Sequence, residues 1–195
     1  MGLSNRFSVE AVDELYEGIR LACEVYKVDL VGGDTTSSPS GLTLSVTAMG
    51  LAEPDALVGR DGSGDDDLLV VSGDLGAAYM GLQILERETS VFQAAPTAQP
   101  ELEDFAYLLE RQLKPEARVD VVREIAELGL KPTSMIDISD GLSSEIMHLG
   151  TSSGVGFKVY EDKLPIDPKV YDTARESTST PRCACSVVAR ITSCF

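Results

Sequence analysis

The chain has 195 residues, of which 43% are hydrophobic and 25% are charged, a composition typical of a globular protein and not of a disordered tract. Its 32 acidic residues outnumber 16 lysines and arginines and give a net charge of −16. So acidic a surface repels nucleic acid and anionic membranes, which excludes both as expected partners. No apolar stretch is long enough to span a membrane, and the opening residues do not resemble a signal peptide, so we expect a cytoplasmic protein.

The first part of the chain predicts one helix and two strands. Apolar residues recur at helical spacing over 8–26, and Ser8 is a suitable N-cap. A short apolar strand is predicted over 28–31, and the alternation in 42–52 predicts another. The turn-rich, acidic segment 53–67 then follows, and it is the best candidate for a boundary between two domains.

The second part of the chain alternates predicted strands with predicted helices. Three segments begin with an apolar strand, and the first two of them continue into a helix: 68–88, 135–146 and 154–167. Two more segments predict helices, the second of them ending at Gly129: 97–113 and 117–130. This alternation predicts an α/β protein, or an α+β protein with mixed sheets.

Three loops place an aspartate beside a small residue at the end of an apolar segment, at Asp34, Asp74 and Asp140. Magnesium prefers oxygen ligands, often one or two carboxylates with phosphate oxygens and water, and glycine lets a phosphate approach the backbone. The loops therefore suit a magnesium–polyphosphate site. Each has a simpler explanation: Asp140 fits a helix cap equally well, and Asp74 fits a turn residue better than a ligand.

Other candidate residues give weaker signals. Arg60 is either a surface charge or a clamp for phosphate. The only histidine, His148, lies on a predicted helix, and we assign it no chemistry. The sequence has no GxxxxGK[ST] pattern, which excludes P-loop chemistry, and no supported Ser–His–Asp or Cys–His set.

Four stretches taken together resemble the thiamine-monophosphate kinases, of the aminoimidazole ribonucleotide synthetase-like superfamily: VDLVGGDTTSS, LLVVSGDLGAAYMGLQILERE, RQLKPEAR and SMIDISDGLSSEI. The resemblance runs from about Gly2 to Glu176. It implies a two-domain α/β architecture with mixed sheets. It also implies transfer of the γ-phosphoryl group of ATP to thiamine monophosphate, with Mg²⁺, by a homodimer.

The same resemblance assigns roles to individual residues. It implies that the nucleotide is contacted by Gly33, Asp34, Arg60 and Ser139. It implies that Mg²⁺ is bound by Asp34, Asp137 and Asp140. No side chain is assigned as a catalytic base, because the acceptor is already an anionic phosphate and needs only positioning and charge compensation.

The chain departs from the family pattern at both ends. The resemblance implies an upstream Gly-Asp-Asp segment and a downstream Gly-Gly-Glu-Asp-Tyr-Glu-Leu-Leu motif, and the chain has neither. Residues 188–195 can be back-translated so that the neighbouring reading frame spells Gly-Glu-Asp-Tyr-Glu-Leu-Leu. We therefore predict N-terminal truncation and a frameshift after Glu176. The expected domains, both incomplete, are 1–66 and 67–176, followed by an aberrant, disordered tail, 177–195.

Two alternatives to a kinase fragment remain open at this point. One is a catalytically inactive remnant that acts as an assembly or binding module, which would bind nucleotide without turnover. The other is a different ATP-dependent synthetase of the same superfamily, such as a selenophosphate or purine-pathway enzyme. The absence of a reactive cysteine or lysine near the first acidic loop argues against that second alternative.

Overall fold

The structure is a computed structural model, and it describes residues 1–97, 99–100 and 102–176. The predicted tail, 177–195, and with it the predicted frameshift, lies outside the described residues. By its internal contacts the chain divides into two units, Met1–Pro54 and a second unit from Asp55 onward.

The first unit contains one long helix and one short pair of strands. Strand β1 (Gly2–Leu3) pairs in parallel with β2 (Thr36–Ser37), with Gly2 opposite Thr36. Helix α1 (Val9–Tyr26) begins as predicted: the Ser8 hydroxyl accepts a hydrogen bond from the Ala11 amide at 3.2 Å. No residue of α1 is buried.

Neither strand predicted in the first unit after α1 forms. Residues 28–31 are irregular, and 42–52 contributes only a bridge between Thr43 and Gly2. A strand is held by hydrogen bonds to a neighbouring strand, and these two segments find no such neighbour among the described residues of this unit. Their apolar side chains stay exposed, as Val46 does at 89%. The predictions of both strands were therefore wrong for this structure.

The described residues of the second unit contain five α-helices, with two short 3₁₀ turns between them at Glu103–Phe105 and Glu161–Lys163. Those described in it are α2 (Ala77–Ala94), α3 (Ala106–Leu113), α4 (Val119–Glu127), α5 (Leu142–Ser153) and α6 (Pro168–Glu176). The predicted helices are confirmed, with those over 97–113 and 117–130 shorter than expected. Gly129 lies just beyond α4 and has a φ of 66°. Its amide donates a hydrogen bond to the carbonyl of Ala126, within α4.

Two apolar clusters form the core of the second unit. The larger joins α2, α3 and α6 through Ala77, Met80, Ile84, Leu108, Leu109, Val170 and Ala174. The smaller consists of Leu75, Leu142 and Ile146. It places the first turn of α5 against the segment that leads into α2.

The second unit has no regular strand in its described residues, although strands were predicted at the start of 68–88, 135–146 and 154–167. These apolar segments are held by isolated hydrogen bonds instead, such as that from the Leu75 amide to the Pro165 carbonyl at 2.8 Å. An apolar run specifies burial or alternation but does not supply a hydrogen-bonding partner. The described residues therefore form a helix-rich α/β architecture with one small parallel strand pair.

The division between the units falls inside the predicted boundary segment, 53–67, but before residue 66. Most of that segment belongs with the second unit because it is hydrogen-bonded there. The Met135 amide donates to the Gly59 carbonyl at 2.8 Å, and the Ser153 hydroxyl accepts from the amides of Gly62 and Ser63, each at 3.2 Å. The exact domain limits, 1–66 and 67–176, remain a prediction. Across the described ranges, no helix combines the length and the apolar character required to cross a membrane.

Candidate functional site

The acidic turn before α5 presents its carboxylates to solvent. Asp137, Ser139 and Asp140 are all exposed. The N-cap of α5 is Gly141, with a φ of 110° and no side chain to cap the helix. The carboxylates of Asp137 and Asp140 have no hydrogen bond or ion pair within the part of the chain that the structure describes. The alternative that Asp140 caps the helix is therefore wrong for this structure, and its side chain stays available to a ligand.

The acidic turn is hydrogen-bonded to Glu145, a residue that the sequence analysis did not select. Glu145 lies in the first turn of α5 and is only 4% exposed. Its Oε1 accepts a hydrogen bond from the Asp140 amide at 3.2 Å. Its Oε2 is buried and has no hydrogen-bond partner among the described residues. The available signal was an acidic residue in a first helical turn, a position from which glutamate reaches back to free amides.

Arg60 lies next to a backbone hydrogen bond that joins its own segment to the segment before the acidic turn. Its neighbour Gly59 accepts the hydrogen bond from Met135, two residues before Asp137. The Arg60 carbonyl also accepts from the Ser153 hydroxyl at 3.3 Å. The guanidinium itself is exposed, with no ion pair to any described residue. The structure thus brings Arg60 and the acidic turn into neighbouring segments of one unit.

Gly33 and Asp34 belong to the first unit. Both are exposed and lie in the loop that leads into β2. The backbone of this loop is anchored to the start of β1: the Met1 nitrogen donates to the Asp34 carbonyl at 2.6 Å, and the Thr36 amide donates to the Met1 carbonyl at 2.9 Å. Asp34 is exposed, and its carboxylate makes no hydrogen bond or ion pair with any described residue.

The oxygen donors present fit a magnesium ion. Over residues 1–97, 99–100 and 102–176, no three Asp, Glu, His or Cys side chains lie close enough together to hold a metal by themselves. Magnesium that arrives with a nucleotide needs only one or two carboxylates, because phosphates and water complete its octahedron. Asp137 and Asp140 supply two carboxylates without a partner among the described residues, and Glu145, whose Oε1 bonds the Asp140 amide, has a second, buried oxygen without a hydrogen bond.

Asp74, the third acidic loop residue, has a structural role. Its Oδ1 lies 3.2 Å from the Arg111 Nη2, and its Oδ2 accepts a hydrogen bond from the Tyr107 hydroxyl. Burial, together with the Asp74 carboxylate, raises the pKa of Tyr107 to about 12. Asp74 therefore joins the loop before α2 to α3, in agreement with the simpler explanation drawn from the sequence. His148 is exposed.

Comparison with known proteins shows which proteins this chain is similar to. Residues 1–52 match the family "AIR synthase related protein, N-terminal domain". The thiamine-monophosphate kinase of Aquifex aeolicus is 34% identical over 166 residues, covering 85% of this chain and 49% of that protein. That of Bacillus subtilis is 29% identical over 179 residues, covering 90% and 52%. The chain is thus similar to thiamine-monophosphate kinases over most of its own length.

The fold agrees with that similarity. A solved structure described as "AaThiL complexed with AMPPCP and TMP" matches with a TM-score of 0.74 and 29% sequence identity, covering 94% of this chain and 54% of that one. The expected two-domain α/β architecture is therefore confirmed at the level of fold. The chain spans about half the length of the curated relatives it matches.

Proposed function

We propose that this chain acts in the ATP-dependent phosphorylation of thiamine monophosphate to thiamine diphosphate. The proposal is supported by the names of its relatives and by the ligands of the matching structure, a nucleotide analogue and TMP. The observation that carries it is the acidic turn at 137–140. Its two carboxylates are exposed and have no protein partner among the described residues, so both are available to a cation.

The family resemblance gives each site residue a role that its chemistry is able to perform. Gly33 and Asp34 supply backbone access and a carboxylate to the nucleotide and its metal, and Arg60 contacts the polyphosphate through its guanidinium. Ser139 offers a hydroxyl to the nucleotide. The magnesium ligands are Asp34, Asp137 and Asp140. Magnesium, when bound, offsets the repulsion between the donor and acceptor phosphate oxygens.

The chain's residues need to bind and orient, and they need not remove a proton. The acceptor is a phosphate that is already anionic near neutral pH, so the nucleophile exists before it binds. Catalysis then comes from placing two polyanions in line and compensating their charge. This accounts for a site built from carboxylates, glycine and one arginine. We further propose a cytoplasmic homodimer, as the family resemblance implies.

Calorimetric titration of the full chain with AMPPCP, with and without Mg²⁺, tests the proposal. We expect binding that requires Mg²⁺ and that weakens at least about tenfold in Asp140→Asn, since one metal ligand is lost. Asp65→Asn is the matched control, because Asp65 lies in an exposed turn and has no assigned role. Equal binding by wild type and Asp140→Asn would contradict the assignment.

Turnover separates the kinase from the alternative of a binding module. Formation of thiamine diphosphate from ATP and thiamine monophosphate supports the kinase reaction in this chain. Binding of AMPPCP with Mg²⁺ but without any product favours a chain that binds and does not catalyse. That alternative is kept because the chain spans about half of its relatives' length.

A further inference from the structure

Glu145 combines three features that the proposed roles leave unexplained. It is a carboxylate 4% exposed, one of its oxygens bonds the Asp140 amide, and the other has no partner among the described residues. A buried carboxylate oxygen without a hydrogen bond destabilises the folded protein. Native proteins contain few such groups, and a bound ion or water is one interaction that completes them.

The surrounding packing fixes where the Glu145 carboxylate lies. Leu142 and Ile146, on either side of it in α5, are each 3% exposed and belong to the smaller core cluster. This packing holds the first turn of α5 in place. Because Oε1 accepts a hydrogen bond from the Asp140 amide, this oxygen of the carboxylate faces the acidic turn.

The turn itself depends on Glu145 for its shape. Gly141 is the N-cap of α5 and contributes no side-chain hydrogen bond. The Asp140 backbone is bonded by Glu145 instead, so the Asp140 side chain is released from capping and remains exposed. Glu145 thus holds a neighbouring acid in a position open to a ligand, at the cost of placing a second negative charge behind it.

We propose that Glu145 is a positioning residue for a divalent cation at the acidic turn: Oε1 fixes Asp140, and the charge and free Oε2 of Glu145 strengthen the binding of the cation. The inference rests on the proposed function, which assigns Asp137 and Asp140 to the metal. Residues behind metal ligands commonly change metal affinity by 10- to 100-fold, because they orient the ligand and set the local charge.

The substitution Glu145→Gln separates this role from a purely structural one. Glutamine keeps a carbonyl oxygen for the Asp140 amide and removes the buried charge, so we expect a thermal midpoint equal to or above that of wild type. The affinity for Mn²⁺ alone, measured on the full chain from the free-ion electron paramagnetic resonance signal with Mg²⁺ as competitor, should fall about 10- to 100-fold. Glu127→Gln, at the exposed end of α4, makes the same change in net charge and should leave the affinity unchanged.

Each outcome of this experiment decides something. Glu145→Gln with wild-type Mn²⁺ affinity, or an equal loss in Glu127→Gln, would overturn the role of Glu145 while leaving the proposed function intact. A wild-type chain that binds neither Mn²⁺ nor AMPPCP with Mg²⁺ would overturn both. A lower thermal midpoint with unchanged Mn²⁺ affinity would identify Glu145 as a structural residue only. Hydrogen exchange at the Asp140 amide, expected to stay slow in Glu145→Gln, provides a readout that is independent of any metal.

Discussion

Helices α1 and α2 have the same length, 18 residues, but differ in how they are supported. No residue of α1 is buried, whereas α2 buries Ala77, Met80, Gly81 and Ile84. Helices in proteins gain most of their stability from packing an apolar face, and less from intrinsic propensity. The comparison shows that capping and amphipathic spacing define where a helix runs, while the neighbouring elements determine how strongly it is held.

The same difference applies to the candidate site residues of each unit. The loop of Gly33 and Asp34 lies in the first unit, where the long helix has no buried residue. The acidic turn at 137–140 lies in the second unit and precedes α5, which buries Leu142, Ile146 and Leu149. Local opening costs least where few apolar contacts are broken. We therefore expect the Asp34 loop to exchange its amide hydrogens faster than the first turn of α5.

The largest effect is expected in the core between α2 and α3. Leu108→Ala removes a side chain that is 1% exposed and should lower the free energy of unfolding by about 2–5 kcal/mol. Leu21→Ala in α1, where the leucine is 61% exposed, is the control and should change it by less than about 0.5 kcal/mol. Urea unfolding followed by circular dichroism measures both, since the chain has no tryptophan for fluorescence. Similar losses in the two variants would mean that the units are not packed differently.

Replacing a glycine by alanine should stabilise the protein in α1 and destabilise it in α2. A Cβ at Gly81 would lie 2.2 Å from the Leu108 carbonyl oxygen, so Gly81→Ala forces α2 and α3 apart and should cost about 1–3 kcal/mol. A Cβ at Gly18 meets nothing within 4 Å among the described atoms, so Gly18→Ala should stabilise α1 by about 0.5–1 kcal/mol. Thermal unfolding measures both changes. Stabilisation by Gly81→Ala would show that the α2–α3 approach is looser than described.

The sequence predicted helices well because their signals are local. The cap at Ser8 and the stop near Gly129 each depend on a few neighbouring residues, and both are present in the structure. The strand predictions were wrong for the opposite reason. The alternation in 42–52 is a property of the segment, but a strand also needs a partner, and the sequence does not state where a partner comes from.

The same distinction applies to the site. Arg60, Asp137 and Asp140 were selected from the residues themselves and from a family resemblance, and the structure places them in one unit. Glu145 was missed because its importance comes from being buried beneath the turn. The ion pair between Asp74 and Arg111 also joins distant positions. Residue types reveal candidate ligands, whereas their supports depend on tertiary packing.

Removal of the α1 N-cap should cause the next largest loss of stability. Ser8→Ala deletes the hydroxyl that accepts from the Ala11 amide and should destabilise α1 by about 1 kcal/mol. Ser90→Ala in α2 is the matched change, because the Ser90 hydroxyl only bonds back to the Glu86 carbonyl within the helix. It should leave stability unchanged or slightly raise it. Helical circular dichroism at low urea concentration distinguishes them, and a greater loss in Ser90→Ala would contradict the assigned cap.

The smallest effect at neutral pH concerns Tyr107, which links α3 to Asp74 in the second unit. The raised pKa of Tyr107, about 12 against an ordinary value of 10.0, means that the folded chain keeps the phenolic proton at a pH where the unfolded chain loses it. This contribution to stability is complete below pH 10 and is lost as the pH rises through about 12. Tyr107→Phe should therefore flatten the decline in urea midpoint over that interval. An equally steep decline in the variant would show that the Tyr107–Asp74 hydrogen bond does not stabilise the loop before α2.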